Sequence, residues 1–166
     1  MTIGVPRRAL VITASTRAAS GTWADASGPV VVEALVELGL EVDGPVVVAD
    51  GEPVLEALRE GLASGVDLIV TTGGTGHTPM DLTPEMTRQV IDRESPGLAE
   101  SVRAYGVAKG VPTAVLSRGI AGLAGGTLIV NLPGSTGGAR DGIAALAPVL
   151  LHALDQAAGG DHSRGA

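Results

Sequence analysis

Cysteine and phenylalanine are both missing from the chain. Without a thiol there is no disulfide, no thiolate metal site and no cysteine nucleophile. Without Phe, and with Trp23 and Tyr105 as the only other rings, the core has to be filled by Val, Leu, Ile and Ala, and a planar ligand finds few stacking partners. Lysine occurs once, at Lys109, far from any glycine-rich loop, which excludes a G-x-x-x-x-G-K-[ST] phosphate loop. The net charge of −7 repels a polyanion over most of the surface, so nucleic acid is not an expected partner. Arg7-Arg8 precedes an apolar stretch, but from Ala9 to Ser15 that stretch is shorter than a usual leader core and nothing is long enough to span a membrane. A cytoplasmic protein is expected.

What is present is ample apolar content, 45% hydrophobic against 17% charged residues in 166, which suits one domain with a sizeable core. Residues 1–158 read as that domain. Gly159 to Ala166 carries no apolar anchor and is expected to fray.

Ala9–Ser15, Glu41–Ala49 and Asp67–Thr72 are short β-branched runs with helical patterns between them. The first helix is expected over Pro29–Leu38, with Ser27 as its cap, Gly39 as its stop and Val32, Leu35 and Val36 on its inner face. The second opens at Pro53 and carries Leu55, Leu58 and Leu62 before closing at Gly65. Pro84 starts another helix, which Pro96-Gly97 interrupts before the amphipathic stretch Leu98–Tyr105, so two short helices are expected rather than one long one. Thr113–Leu116 is readable as strand or helix. Thr127–Leu132 is a strand ending at a Pro133-Gly134-Ser135 turn, and from Arg140 onward Ile143, Leu146, Ala147, Leu150, Leu151 and Leu154 form one apolar stripe that Pro148 can kink. Alternating strands and helices of this kind build an α/β fold, a three-layer α/β/α sandwich with a mostly parallel central sheet.

Ligands of open α/β sheets bind beyond the carboxyl ends of the strands, where this chain offers Ser15-Thr16-Arg17, Asp50-Gly51, Gly73–Asp81 and Asn131–Gly138. Gly73-Gly74-Thr75-Gly76 and Pro133-Gly134-Ser135 have the small residues that let backbone amides converge on a phosphate, although a tight turn alone also uses them. The dinucleotide pattern G-x-G-x-x-G fails because His77, Thr78 and Pro79 follow Gly76. A phosphate site here therefore relies on backbone, hydroxyls, Arg and metal. Asp50 and Asp81 are the candidate Mg²⁺ residues, since that ion is held through one or two carboxylates plus substrate phosphates; an ordinary turn role for Asp50 and a capping role for Asp81 are the alternatives. Arg17, Arg118 and Arg140 stand beside strand ends or turns, and Ser117-Arg118-Gly119 offers hydroxyl and guanidinium together. His77 has no neighbouring ligand to complete a metal set, His152 reads as structural, His162 lies in the tail, and Glu33, Glu37, Glu52, Glu56 and Glu60 fall on solvated helix faces.

Thr71-Thr72-Gly73-Gly74-Thr75-Gly76, Asp81-Leu82-Thr83-Pro84-Glu85, Leu116-Ser117-Arg118-Gly119 and Asn131-Leu132-Pro133-Gly134-Ser135 together resemble the MogA/MoaB family of molybdenum cofactor biosynthesis proteins. Ser27-Gly28-Pro29, Asp92-Arg93-Glu94, Pro96-Gly97-Leu98 and Asp141-Gly142 extend the likeness over almost the whole chain. The resemblance implies a molybdopterin-binding α/β/α domain, commonly a homotrimer, whose catalytic members transfer AMP from Mg-ATP to the terminal phosphate of the pterin. It implies Asp50 and Asp81 as the essential, Mg²⁺-holding acids. Ser15, Thr72, Gly73, Gly74, Thr75, Gly76, Ser117, Arg118, Pro133, Gly134 and Ser135 are implied as substrate-binding residues, and a molybdenum insertase as partner. Where the family usually has Ser-Asp after the first strand this chain has Ser15-Thr16, and Thr136 replaces the usual proline after Pro-Gly-Ser. A family member that binds the pterin or a partner without transferring AMP is the alternative. A domain of the insertases themselves fits less well, being usually part of a longer chain.

Overall fold

The computed structural model describes residues 5–160. Six strands, β1 (Arg8–Ala14), β2 (Glu41–Val48), β3 (Leu68–Thr72), β4 (Arg93–Glu94), β5 (Ala121–Ala124) and β6 (Thr127–Leu132), form one sheet in the order β2-β1-β3-β6-β5-β4. β2, β1, β3 and β6 are parallel, whereas β5 pairs antiparallel with β6 and β4 antiparallel with β5. Every residue of β3 and β6 is buried, as central parallel strands covered on both faces require.

The strands feed two separate cores with the period of two that a pleated strand dictates. Ala9, Val11, Leu68, Val70, Leu128 and Val130 meet the helices α2 (Ser27–Glu37), α5 (Pro96–Ala108), α6 (Thr136–Leu146) and α7 (Leu150–Ala157). Ile12, Ile69 and Ile129 point the other way, onto α3 (Glu52–Ala63), with Met86 of α4 (Thr83–Arg88) packed against the same cluster. This is the three-layer sandwich expected. No helix among the described residues is long and apolar enough to cross a membrane.

Several local expectations need correction. Ser27 is already helical, and the first-turn N–H of Gly28 is taken by Asp25 Oδ1 at 3.0 Å, so the capping carboxylate stands two residues further back. The buried face of α2 is Ser27, Gly28, Val31 and Leu35, while Val36 is 54% exposed, because the helix is rotated relative to the expected face. The stripe after Arg140 is two helices rather than one, since Pro148 lies in the three-residue break between Leu146 and Leu150. Thr113–Leu116 lies in a 3-10 turn, Pro112–Leu116. The two helices expected on either side of Pro96-Gly97 are present as α4 and α5; Pro96 itself opens α5, and the interval after α4 holds the edge strand β4. His162 and the tail from residue 161 lie outside the described residues.

Beneath the carboxyl ends of the strands a buried polar network replaces apolar packing. Asn131 Nδ2 donates to Thr71 Oγ1 at 2.9 Å and Thr87 Oγ1 at 3.0 Å, and its Oδ1 accepts from the N–H of Ile120 at 3.1 Å. Both N–H donors of that amide and its oxygen have a partner, so the network fixes β3, β6, α4 and the chain entering β5 relative to one another.

Candidate functional site

The chain leaves β1 towards β2 on one side and reaches β3 on the other, so the carboxyl ends of β1 and β3 flank the point where the sheet order reverses. There the strand ends pack backbone against backbone. Gly73 has φ +95°, and a Cβ at that position would stand 2.3 Å from the carbonyl oxygen of Ala14; one at Gly134 would stand 3.0 Å from Gly73 Cα. Only glycine allows the loops after β1, β3 and β6 to converge this closely.

The glycine loop is fixed by its carbonyls. Gly73 O accepts from Thr83 Oγ1 at 2.9 Å and Gly74 O from the N–H of Thr83 at 3.1 Å. Thr75 O accepts from the N–H of Arg118 and Gly76 O from Arg118 Nε, both at 2.8 Å. Four successive carbonyls are thereby held by two residues, Thr83 and Arg118. Among the described residues no acceptor takes the N–H of Gly74, Thr75 or Gly76, which leaves three amides in one loop for an anion. The N-terminus of α6 stands beside them: Ser135 is its N-cap, accepting from the N–H of Gly138 at 3.0 Å, and the helix end adds further amide donors and its dipole.

Two open cavities meet at this rim. One, of about 760 Å³, is bordered by the loop after β1 with Trp23 and Asp25, and by Asp50, Thr72 and Gly73. The other, of about 550 Å³, is predominantly apolar, bordered by Val102, Val111, Ala114, Leu116, Ser117 and Pro133. Gly74, Asp81, Gly134 and Ser135 border both. A ligand in either cavity can therefore bring a phosphate to Gly74 and the start of α6, while Thr75 and Gly76 border the smaller cavity alone.

The two carboxylates are each held by one oxygen. Asp50 Oδ2 accepts from the N–H and Oγ1 of Thr16 at 3.0 and 2.8 Å, and Thr16 Oγ1 in turn accepts from the N–H of Asp50 at 3.2 Å. Asp81 Oδ2 accepts from the N–H and Oγ1 of Thr78 at 2.9 and 2.8 Å. Oδ1 of each accepts no hydrogen bond among the described residues. Both lie against the glycine loop: Asp50 Oδ1 is 3.0 Å from where a Cβ of residue 74 would be, and Asp81 Oδ2 is 2.8 Å from that of residue 76.

Of the residues marked from sequence, Asp50, Asp81, Ser15, Thr72, Gly73–Gly76, Ser117 and Pro133–Ser135 all border one or both cavities. Ser15 also caps the short helix α1 (Thr16–Ala19), accepting from the N–H of Ala18, and Thr72 Oγ1 donates to Pro133 O at 2.7 Å. Arg118 is different. Its guanidinium does not point at either cavity but into the protein, donating to Gly76 O, to Asp81 O at 2.6 Å and to both oxygens of Glu85. Hydrogen bonding from Arg118 outweighs burial and holds the Glu85 carboxyl below its usual range, and the same bond raises the pKa of Arg118. Arg118 is thus a brace across the loop. Arg140 is exposed and His77 lines neither cavity.

Three further residues escaped the sequence reading. Asp25 holds Thr13 Oγ1 at 2.9 Å as well as the N–H of Gly28, and its place two residues before Ser27-Gly28-Pro29 was the available signal. Arg103 Nη1 donates to Ser117 O and Gly119 O at 3.2 and 2.8 Å, supporting the segment after the 3-10 turn. Trp23 borders the larger cavity with Arg17 stacked 4.2 Å from its ring centroid, so the site does contain an aromatic surface.

A family profile described as "Probable molybdopterin binding domain" matches residues 10–152. The molybdopterin adenylyltransferase of Helicobacter pylori strain J99 is 38% identical over 152 residues, covering 87% of this chain and 84% of that one. The molybdenum cofactor biosynthesis bifunctional protein of Chlorobaculum tepidum is 35% identical over 159 residues; the match takes in 95% of this chain and half of that longer one. Among solved structures, the molybdopterin biosynthesis Mog protein of Mycobacterium ulcerans is 55% identical with a TM-score of 0.85, covering 94% of this chain and 99% of that one. MoaB of Thermus thermophilus is 43% identical with a TM-score of 0.87, covering 95% and 99%.

Proposed function

The chain belongs to the MogA/MoaB family of molybdenum cofactor biosynthesis proteins, and from that premise we propose that it is a molybdopterin adenylyltransferase, transferring AMP from Mg-ATP to the terminal phosphate of molybdopterin. The observation that carries this reading is the shared rim: two cavities large enough for one substrate each, meeting at Gly74, Asp81, Gly134 and Ser135, with Asp50 on the larger side and the amides of Thr75 and Gly76 on the smaller. The adenylyltransferase names of the Helicobacter relative and of a Pyrococcus furiosus relative, 36% identical over 151 residues, support it.

The reaction needs little acid–base help. A phosphate monoester has a second pKa of about 6 and is largely ionised at neutral pH, so its oxygen attacks the α-phosphorus of ATP without a general base. The new P–O bond forms as the bond to pyrophosphate breaks, and the electron pair leaves with pyrophosphate. What the protein must supply is alignment and relief of repulsion between two polyanions. The amides of Gly74, Thr75 and Gly76 and the start of α6 hold phosphoryl oxygens, and Arg118 keeps that loop in place from behind. Asp50 and Asp81, two hard carboxylates with one uncommitted oxygen each, suit Mg²⁺, which prefers one or two carboxylates completed by phosphate oxygens. When bound there, the ion would neutralise phosphate charge. Thr16 fills the position after Ser15 with a hydroxyl that anchors Asp50, so the missing acid leaves the Asp50 geometry defined. A homotrimer, transfer of the product to a molybdenum insertase and a cytoplasmic location accompany the same reading.

The test is Asp81→Ala. The variant is expected to bind molybdopterin but to produce no adenylated pterin from Mg-ATP. Undiminished turnover removes Asp81 from the reaction.

A further inference from the structure

Large apolar side chains in this protein are mostly committed to the two cores, yet its only tryptophan stands 59% exposed on the border of the larger cavity. Its backbone is not loose. The N–H groups of Thr22 and Trp23 both donate to Arg17 O, at 2.9 and 3.1 Å, and two residues later Asp25 is tied to β1 through Thr13 and to α2 through Gly28. Arg17 covers part of the indole, its guanidinium carbon 4.2 Å from the ring centroid. A rigid, amphipathic ring on a pinned loop loses little conformational freedom when a ligand packs on it.

We infer that Trp23, backed by Arg17, is the platform on which the purine base of the nucleotide stacks. The inference rests on the adenylyltransferase reading and narrows it. Arg17 is adjacent to Thr16, which holds Asp50, so the ring and the carboxylate that faces the glycine loop belong to one continuous wall of the same cavity. A nucleotide with its phosphates at Asp50 and Asp81 thus has its base end directed along that wall towards Trp23. The pterin is assigned the other cavity, which has no aromatic residue on its border and meets the larger one at Gly74, Asp81, Gly134 and Ser135. Arg17 serves two ends at once: it stiffens the indole and adds a positive charge to a wall that receives a polyanion.

Because Trp23 is the sole tryptophan, its emission reports on this site alone when excited beyond the absorption of Tyr105. The full chain is titrated with Mg-ATP, with Mg-tripolyphosphate and with molybdopterin, each corrected for absorption against free N-acetyltryptophanamide. Saturable quenching by Mg-ATP, with no comparable response to tripolyphosphate or molybdopterin, is expected. Removing a base–aromatic stack typically weakens binding by roughly tenfold or more, so Trp23→Ala is expected to raise KM for ATP by that factor while KM for molybdopterin stays unchanged. Trp23→Phe restores most of the loss, which a general structural defect would not allow. An equal response to tripolyphosphate, a response to molybdopterin in place of ATP, or an unchanged KM for ATP in Trp23→Ala overturns the platform. The two levels separate cleanly: quenching without any adenylated pterin keeps the platform and overturns the reaction, whereas AMP transfer with a silent Trp23 keeps the reaction and overturns the platform.

Discussion

Replacing Arg118 with Ala removes the brace that crosses the glycine loop, and its cost can be worked from the contacts. The guanidinium donates to Gly76 O at 2.8 Å, to Asp81 O at 2.6 Å and to Glu85. Each hydrogen bond from a charged donor contributes about 1.5–3 kcal/mol when well shielded. The Arg118 and Glu85 side chains are 34% and 39% exposed, and water can replace part of what is lost, so the ion pair itself is worth about 1 kcal/mol or less. A total of about 3 kcal/mol follows, which for a domain of this size lowers Tm by about 6–12 °C. Arg118→Lys keeps the charge but cannot reach both carbonyls and Glu85 together, and is expected to recover only a minor part. The pair also makes a prediction about pH. The Glu85 carboxyl is held below its ordinary value of 4.5 in the folded state, so its contribution is present above 4.5 and is lost as pH falls through the depressed folded value. Glu85→Gln should therefore flatten the acid limb of the stability curve. Thermal melts between neutral and acid pH measure both effects. An Arg118→Ala protein that melts with the wild type, or a Glu85→Gln protein with an unaltered acid limb, refutes the brace.

Two further substitutions, with Gly97→Ala as a control, test the wall of the larger cavity. A Cβ at Gly28 would lie 2.2 Å from Asp25 Oδ2, 2.4 Å from Thr13 Oγ1 and 2.7 Å from Pro45 Cβ, so Gly28→Ala is expected to cost about 1–3 kcal/mol in a denaturant titration, whereas Gly97→Ala, with nothing within 4 Å, is neutral or stabilising. Thr16→Val removes the hydroxyl that both donates to and accepts from Asp50 while keeping the backbone donor; a loss of about 1 kcal/mol and a fall in AMP transfer are expected, and full turnover would show that Asp50 needs no anchor.

Much of this molecule was legible because buried parallel strands write themselves as apolar runs. Leu68–Thr72 and Thr127–Leu132 are such runs, and the small residues after them border the two cavities. The antiparallel edge was not legible. β5 is Ala-Gly-Leu-Ala and β4 only two residues, too short for any period to register, and their pairing is a long-range event. Helix length failed for a related reason: the stripe from Ile143 to Leu154 keeps its helical spacing across Pro148, so the pattern alone does not record the break. At the site, residue type and neighbourhood brought Arg118 into view but not its direction. Whether a guanidinium meets phosphate or protein depends on Glu85 and two carbonyls, all more than thirty residues away in sequence. Trp23 was visible as a rare ring, yet only the folded loop shows that it borders the cavity holding Asp50.

The central claim is that the two cavities deliver two phosphates to their shared rim at Gly74, Asp81, Gly134 and Ser135 for reaction. A single-turnover experiment with the full chain, molybdopterin and Mg-ATP tests this most directly, following pyrophosphate and adenylated pterin together. Equal amounts of the two products, appearing at the same rate and absent with Asp81→Ala, are the expected result. Tight molybdopterin binding with no pyrophosphate released would contradict the claim and leave a binding protein in place of an enzyme.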